Sequence, residues 1–131
     1  MWAERRLERV SANDLYEFYS RGSALLADGY YYQAVVSLER ARQLAPDSCS
    51  IREALGRALF HTQRYEEAAG EFRAVVERAP TNDYALFCLG RCLQLLGRHA
   101  EAREPLAQAA AMVPDRRDYA RYRDRARDAA G

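Results

Sequence analysis

Apolar residues recur along this chain at intervals of three and four positions, with polar residues between them. This is the period of an α-helix that buries one face and exposes the other. The stripe is clearest from Tyr65 to Ala79. Its apolar members are Tyr65, Ala68, Ala69, Phe72, Val75, Val76 and Ala79. The pattern predicts an all-α, predominantly helical protein without a sheet.

The helical pattern repeats every 34 residues. Four sets of identical residues share this spacing, and four sets in one register across three copies are not a coincidence. The sets are Gly22, Gly56 and Gly90; Leu25, Leu59 and Leu93; Ala34, Ala68 and Ala102; and Pro46, Pro80 and Pro114. The copies occupy residues 15–48, 49–82 and 83–116, and each reads as two helices joined by a turn.

Residues that start and stop helices fall where such units need them. Gly29 and Gly97 stand where the first helix of a copy would end, since glycine adopts the left-handed conformation of such turns at little cost. Each repeated proline follows a second helix, which it cannot continue. At the start of the second copy, Asp47 and Ser50 with Glu53 offer N-capping side chains. Three helix-turn-helix units are therefore predicted.

The spacing resembles the tetratricopeptide repeat, whose pattern is W-x2-L-G-x2-Y, then A-x3-F, then P. The matching residues are Phe18, Gly22, Leu25, Ala34, Leu38 and Pro46 in the first copy; Leu55, Gly56, Leu59, Ala68, Phe72 and Pro80 in the second; and Leu86, Leu89, Gly90, Leu93, Ala102, Leu106 and Pro114 in the third. Arg52 departs from this pattern at the Trp slot and Arg21 at the first Leu slot. The resemblance covers residues 15–116.

The resemblance implies an α-solenoid of three stacked repeats in one domain, residues 1–131. One repeat cannot bury its apolar face alone, so neighbours stack and the ends need polar caps. Residues 117–131 are expected to form a C-terminal capping helix with Tyr119, Tyr122 and Ala126 directed inward. Residues 1–14 are expected to form an N-terminal extension.

Small residues at matched positions predict where the paired helices touch. The glycine of each first helix and the alanine of each second helix leave room for a close approach. We therefore expect Gly56→Leu to be far more damaging than Arg73→Ala, which removes an exposed charge. In the same register, Glu71 falls on the convex, solvent-facing side.

Two cysteines four residues apart, Cys88 and Cys92, precede His99 and suggest a metal site. The repeat register argues against it, because Cys92 takes a slot that is alanine in the other copies and His99 takes a tyrosine slot. A zinc site needs three or four convergent ligands, and only His61 and Cys49 remain, in a different repeat. We interpret these residues as packing residues and expect neither a metal nor a cofactor.

Catalytic machinery is not apparent in the sequence. The two histidines have no recognisable nucleophile beside them, and no glycine-rich phosphate loop or acid pair stands out. The protein is therefore not expected to be an enzyme.

The resemblance implies a concave groove lined by positions 2, 5, 9 and 12 of each repeat's first helix. These positions are Tyr16, Tyr19, Ser23 and Leu26; Ser50, Glu53, Arg57 and Phe60; and Tyr84, Phe87, Arg91 and Gln94. Aromatic residues and arginine dominate binding energy at interfaces. We expect Phe60, Tyr84, Phe87 and Arg91 to form one contiguous surface, with Phe87 and Arg91 in groove columns rather than packing columns.

The implied function is a small adaptor that binds a peptide or helix of another protein in this groove. Chaperone-binding relatives clamp a C-terminal carboxylate, but the clamp slots here hold Tyr19, Ser23, Ala54, Tyr84 and Cys88, so that partner is not expected. A secretion chaperone built from such repeats is one variant of this function.

A second hypothesis is nucleic-acid association through the arginines of the C-terminal helix. These are Arg116, Arg117, Arg121, Arg123, Arg125 and Arg127. Four interleaved aspartates favour a solvated cap with internal ion pairs instead, so nucleic acid is the less favoured partner.

The tyrosine run Tyr30-Tyr31-Tyr32 leaves two interpretations open. Tyr31 fills the aromatic slot of the repeat, whereas Tyr30 and Tyr32 are additional aromatics. They either pack beneath the N-terminal segment that contains Trp2 or form a partner surface.

Composition bears on source and compartment. All 20 basic residues are arginine, which indicates a GC-rich bacterial genome, such as that of an actinobacterium. Three cysteines are not typical of a disulfide framework, and a reducing cytoplasm is the expected location. The net charge is +1, the apolar runs are too short for a membrane span, and the charged N-terminus does not resemble a signal peptide.

Overall fold

The computed structural model describes the backbone of residues 2–130 and the side chains of residues 12–130. Over that range the chain forms seven α-helices and no strand, so the all-α prediction is confirmed. The helices are α1 Trp2–Ala27, α2 Tyr31–Leu44, α3 Cys49–His61, α4 Tyr65–Arg78, α5 Asp83–Leu95, α6 His99–Met112 and α7 Arg117–Ala130. None of these helices is long and apolar enough to cross a bilayer.

Each helix packs mainly against the next one along the chain. The pairs α1–α2, α3–α4 and α5–α6 are helical hairpins, and α7 packs on α6. Contacts of α1 with α3, and of α5 with α7, bring the odd-numbered helices to one side of the molecule. We call the exposed side of α1, α3, α5 and α7 the groove face. Residues 2–14 belong to the same continuous helix as the start of the first copy.

A glycine marks the closest approach within each hairpin. A Cβ atom added to any of the three would overlap a large side chain located 16 residues later, on the second helix. The pairs are Gly22 with Leu38, at 2.6 Å from Cγ; Gly56 with Phe72, at 2.9 Å from Cζ; and Gly90 with Leu106. The predicted role of these glycines is confirmed, and the same contact recurs in all three hairpins.

The turns inside the hairpins are also equivalent. Gly29 and Gly97 have φ angles of 84° and 77°, as the sequence predicted. The second hairpin has Gln63 at this position, with φ 64°, a conformation that costs an L-residue about 1–2 kcal/mol. The turn is nevertheless closed in the usual way, since the Arg64 N–H donates to the Leu59 carbonyl at 2.9 Å.

The N-cap of α3 differs from the prediction. Ser48 caps the helix, because the Ile51 N–H donates to its Oγ at 3.3 Å. Ser50 lies inside the helix, and Asp47 instead forms an ion pair with Arg78 at 2.6 Å. Three neighbouring residues could all have capped the helix, and the local sequence did not single out Ser48.

Glu71 is buried, so its predicted position on the convex surface is wrong. Its side chain is 6% exposed and pairs with Arg42 of α2 and with Arg52 of α3, the latter at 2.9 Å. Arg52 also donates from Nε to the Pro46 carbonyl at 2.7 Å. The arginine at the Trp slot therefore takes part in an ion-pair network that joins α2, α3 and α4.

The C-terminal helix packs on the last hairpin as predicted. Tyr119 and Ala126 are fully buried, and Tyr122 is half-buried. The Tyr119 hydroxyl donates to an Asp83 carboxylate oxygen at 2.8 Å. This hydrogen bond links the start of α7 to the start of α5. Burial and this hydrogen bond raise the pKa of Tyr119, so it stays protonated at neutral pH.

Tyr30 and Tyr32 are exposed, by 55% and 74%. The Trp2 side chain, which was one proposed cover for them, lies outside the described residues.

The glycine contact predicts a large difference between two identical substitutions. Gly56→Leu should lower the free energy of unfolding by about 1–3 kcal/mol or more, because the added side chain overlaps the Phe72 ring. Gly70→Leu is the control, since Gly70 is helical and exposed and an added Cβ would meet nothing within 4 Å. Urea unfolding followed by circular dichroism measures both; equal midpoints would refute the assigned packing.

The buried ion pair gives a second prediction. Glu71→Ala should destabilise the protein by about 1–3 kcal/mol, because it leaves two arginines without their shared partner. Glu67→Ala removes a carboxylate of the same helix that pairs with Arg64 at the surface and should matter far less. Thermal melting of the two variants tests this; a larger loss for Glu67→Ala would contradict the structure.

Candidate binding groove

Two adjoining depressions occupy the middle of the groove face. The polar depression, between α1 and α3, has a volume of about 280 Å³. The aromatic pocket, between α3, α5 and α7, has a volume of about 410 Å³. Arg57 of α3 lines both, so the two depressions are continuous.

The polar depression contains most of the groove residues predicted for the first copy and the start of the second. They are Tyr19, Ser23, Leu26, Ser50, Glu53 and Arg57. Leu26 is only 7% exposed and contributes mainly to the core. Tyr16 is 76% exposed and lines a shallower depression beside Tyr19 and Ser50.

The aromatic pocket brings together Phe60, Tyr84, Phe87 and Arg91, so the predicted contiguous surface is confirmed. Phe60 comes from the end of α3 and the other three from α5, which shows that neighbouring repeats share the pocket. Burial raises the pKa of Tyr84 to about 12, with the neighbouring Cys88 adding to the shift. The Tyr84 hydroxyl therefore stays protonated at neutral pH and can donate a hydrogen bond.

Phe87 is also a packing residue, so the expectation that it belongs to the groove alone is wrong. Its ring stacks on Tyr119 at a centroid distance of 4.6 Å and meets Tyr122 at 5.7 Å. It thereby connects α5 to α7. Truncating Phe87 would loosen the capping helix as well as alter the pocket.

Arg91 and Gln94 are likewise engaged with α7. The Arg91 guanidinium lies 3.9 Å from the centroid of the Tyr122 ring and donates to Gln94 Oε1 at 3.0 Å. Gln94 Nε2 in turn donates to the Tyr122 carbonyl at 2.8 Å. These contacts hold the Arg91 side chain in one orientation at the edge of the pocket.

The capping helix supplies part of the pocket wall, which the sequence reasoning missed. Asp118, Arg121 and Tyr122 line the pocket beside the residues of α5. The signal was present in the repeat register: Asp118 and Arg121 lie 34 residues after Tyr84 and Phe87. Extending the groove columns beyond residue 116 would have found them.

Cys88 and Cys92 occupy packing positions, as the sequence predicted, and His99 is partly buried. Cys88 and Cys92 are buried, and burial raises the pKa of each thiol to about 12. They therefore stay protonated at neutral pH, whereas nucleophilic attack needs the thiolate. The Nδ1 atom of His99 is buried without a hydrogen-bond partner. Across residues 12–130, no three side chains of His, Cys, Asp or Glu converge as metal ligands would.

Comparison with known proteins agrees with the repeat geometry. Two family models described as tetratricopeptide repeats match residues 19–83 and 63–125, which together span most of the chain. The chain belongs to the tetratricopeptide repeat family. Its three helical hairpins and their recurring glycine contacts are thus those of a tetratricopeptide repeat protein.

One curated protein and two solved structures illustrate the similarity. Mouse Superkiller complex protein 3 is 32% identical over 99 residues, which is 76% of this chain but only 6% of that protein. The crystal structure of MamA protein superposes with a TM-score of 0.85 at 18% identity, covering 97% of this chain and 69% of that one. The first tetratricopeptide domain of Spaghetti (RPAP3), bound to the HSP90 peptide SRMEEVD, gives 0.81 at 14% identity and covers 90% and 94%. At such identities the two structures show a shared fold.

Proposed function

We propose that this tetratricopeptide repeat protein is an interaction module that binds a peptide or helix of a partner protein on its groove face. The observation that carries the proposal is the aromatic pocket. It is open to solvent, is lined by residues of four helices, and combines aromatic rings with arginine side chains. Large rigid rings next to arginine are the usual composition of binding hot spots.

A related domain supports the binding mode but not the identity of the partner. The RPAP3 domain is bound to the peptide SRMEEVD. In this chain two of the slots that would form a carboxylate clamp, Ala54 and Cys88, are buried. We therefore propose a partner other than a chaperone C-terminus.

Nucleic acid fits less well than a protein segment. Of the six arginines in and before α7, three are paired with aspartates: Arg116 with Asp118, and both Arg123 and Arg127 with Asp124. These pairs reduce the positive charge that a phosphate backbone would meet. A secretion-chaperone role is a variant of the same protein-binding proposal.

The proposal extends to activity, domain organisation and location. We propose a non-enzymatic, cofactor-free protein of one domain, located in the cytoplasm of a bacterium. Three free thiols support a reducing compartment, and the exclusive use of arginine supports a GC-rich source.

A peptide selection tests the proposal. The full chain would be used to select binders from a random 12-residue phage library, and their affinities measured by calorimetry. Arg57→Ala should weaken binding about tenfold or more without changing the melting temperature, since Arg57 is exposed and lines both depressions.

Arg103→Ala is the matched control. Arg103 is an exposed arginine of α6, away from the groove face, and its loss should leave affinity unchanged. A library that yields no binder, or binders that lose affinity with Arg103→Ala and not with Arg57→Ala, would contradict the proposed site.

A further inference from the structure

Three guanidinium groups surround the ring of Tyr122. Arg91 approaches from α5 at 3.9 Å from the ring centroid, while Arg125 and Arg121 approach from α7 at 5.0 Å and 5.2 Å. Tyr122 lines the aromatic pocket, as do Arg91 and Arg121, and Arg57 stands in the same pocket on α3. Positive charge is therefore concentrated at one end of the groove face, although the chain as a whole carries only +1.

Among the residues whose side chains are described, these arginines have no acidic partner. Within the part of the chain whose side chains are described, no carboxylate oxygen lies within 4 Å of the guanidinium nitrogens of Arg57, Arg91, Arg121 or Arg125. Arg123 and Arg127 of the same helix behave differently, since both pair with Asp124. The side of α7 that carries Arg123 and Arg127 is thus partly neutralised, whereas the side that carries Arg121 and Arg125 has no ion pair among the described residues.

Asp118 does not compensate the cluster, although it lines the pocket. Arg116 binds both of its carboxylate oxygens, at 3.2 Å and 2.8 Å. That interaction holds the pKa of Asp118 below its usual range, and its charge is already shared with Arg116. The pocket therefore has a net excess of positive charge.

The arrangement costs free energy in the unliganded protein. Arg121 and Arg125 are like charges at positions i and i+4 of a helix, a spacing at which they repel. The π-face of Tyr122 attracts all three cations and partly offsets this repulsion. A carboxylate placed among these three arginines would offset the remaining repulsion between them. A guanidinium group can donate two parallel hydrogen bonds to the two oxygens of a carboxylate.

We propose that this arginine cluster binds acidic side chains of the partner segment, while an adjacent apolar side chain of that segment enters the aromatic pocket between Phe60 and Phe87. The inference rests on the proposed function and names the chemistry of its ligand: a peptide with glutamate or aspartate next to a bulky apolar residue. The cluster of Arg91, Arg121 and Arg125 lies on α5 and α7 and includes none of the five clamp slots, although two of those slots, Tyr84 and Cys88, line the same pocket.

The peptide selection described above supplies the probes. Selected 12-residue peptides should be enriched in glutamate and aspartate beside an apolar residue. For the tightest binder, replacing its acidic residues by glutamine or asparagine should weaken binding at least tenfold. Raising the salt concentration should also weaken it, because exposed charges are screened.

Paired double variants locate the effect on one side of α7. Arg121→Gln with Arg125→Gln should weaken the acidic peptide at least tenfold and leave its uncharged version unaffected. Arg123→Gln with Arg127→Gln removes the same charge from the same helix, on the side paired with Asp124, and should change affinity less than twofold. Melting temperatures of both variants verify that the helix remains folded.

The outcomes separate the two proposals. Binders without acidic enrichment, equally tight in the Arg121 and Arg125 double variant, would overturn this inference and leave the groove function standing. No binders at all would remove the groove function and this inference with it. A 20-nucleotide oligouridine that binds more tightly than any acidic peptide, and loses binding in the same double variant, would instead assign the cluster to nucleic acid.

Discussion

The close approach of two helices at a glycine is the constraint on which this structure depends. At Gly22, Gly56 and Gly90 the missing side chain lets a large residue of the second helix sit directly against the backbone of the first. Protein interiors are packed too densely to absorb an extra side chain there. Because the contact recurs at a fixed interval of 34 residues, the three hairpins are equivalent, and equivalent hairpins stack in a regular way.

Regular stacking is also what makes a binding surface. It brings the first helices of successive repeats to one side, so that residues distant in sequence, such as Arg57 and Arg121, line the same pocket. Packing and binding are not separate there. Phe87 contacts the capping helix and at the same time forms part of the pocket wall, and Tyr122 binds the Arg91 guanidinium while lining the same pocket. The stability of the last helix and the shape of the site therefore depend on the same rings.

The repeat register explains which features were predictable. The glycine turns and the packed cysteines follow from column position, and the shared pocket of Phe60 and Tyr84 follows from the groove columns that the resemblance to the tetratricopeptide repeat implies. The burial of Glu71 could not be predicted in this way. A charged residue on a helix is expected to be exposed unless its partners are known, and Arg42 and Arg52 come from two other helices. The role of Arg121 was missed because the groove columns were ended with the last full repeat.

Chemical-shift mapping is the most direct test of the central claim that the odd-numbered helices form the binding surface. Amide and arginine side-chain signals of the isotope-labelled protein would be followed by NMR as a selected peptide is added. The account predicts that shifts concentrate on α3, α5 and α7, with Arg57, Tyr84 and Arg121 among the most affected. Shifts confined to the outward sides of α2, α4 and α6, around Gly70 and Arg103, would contradict it.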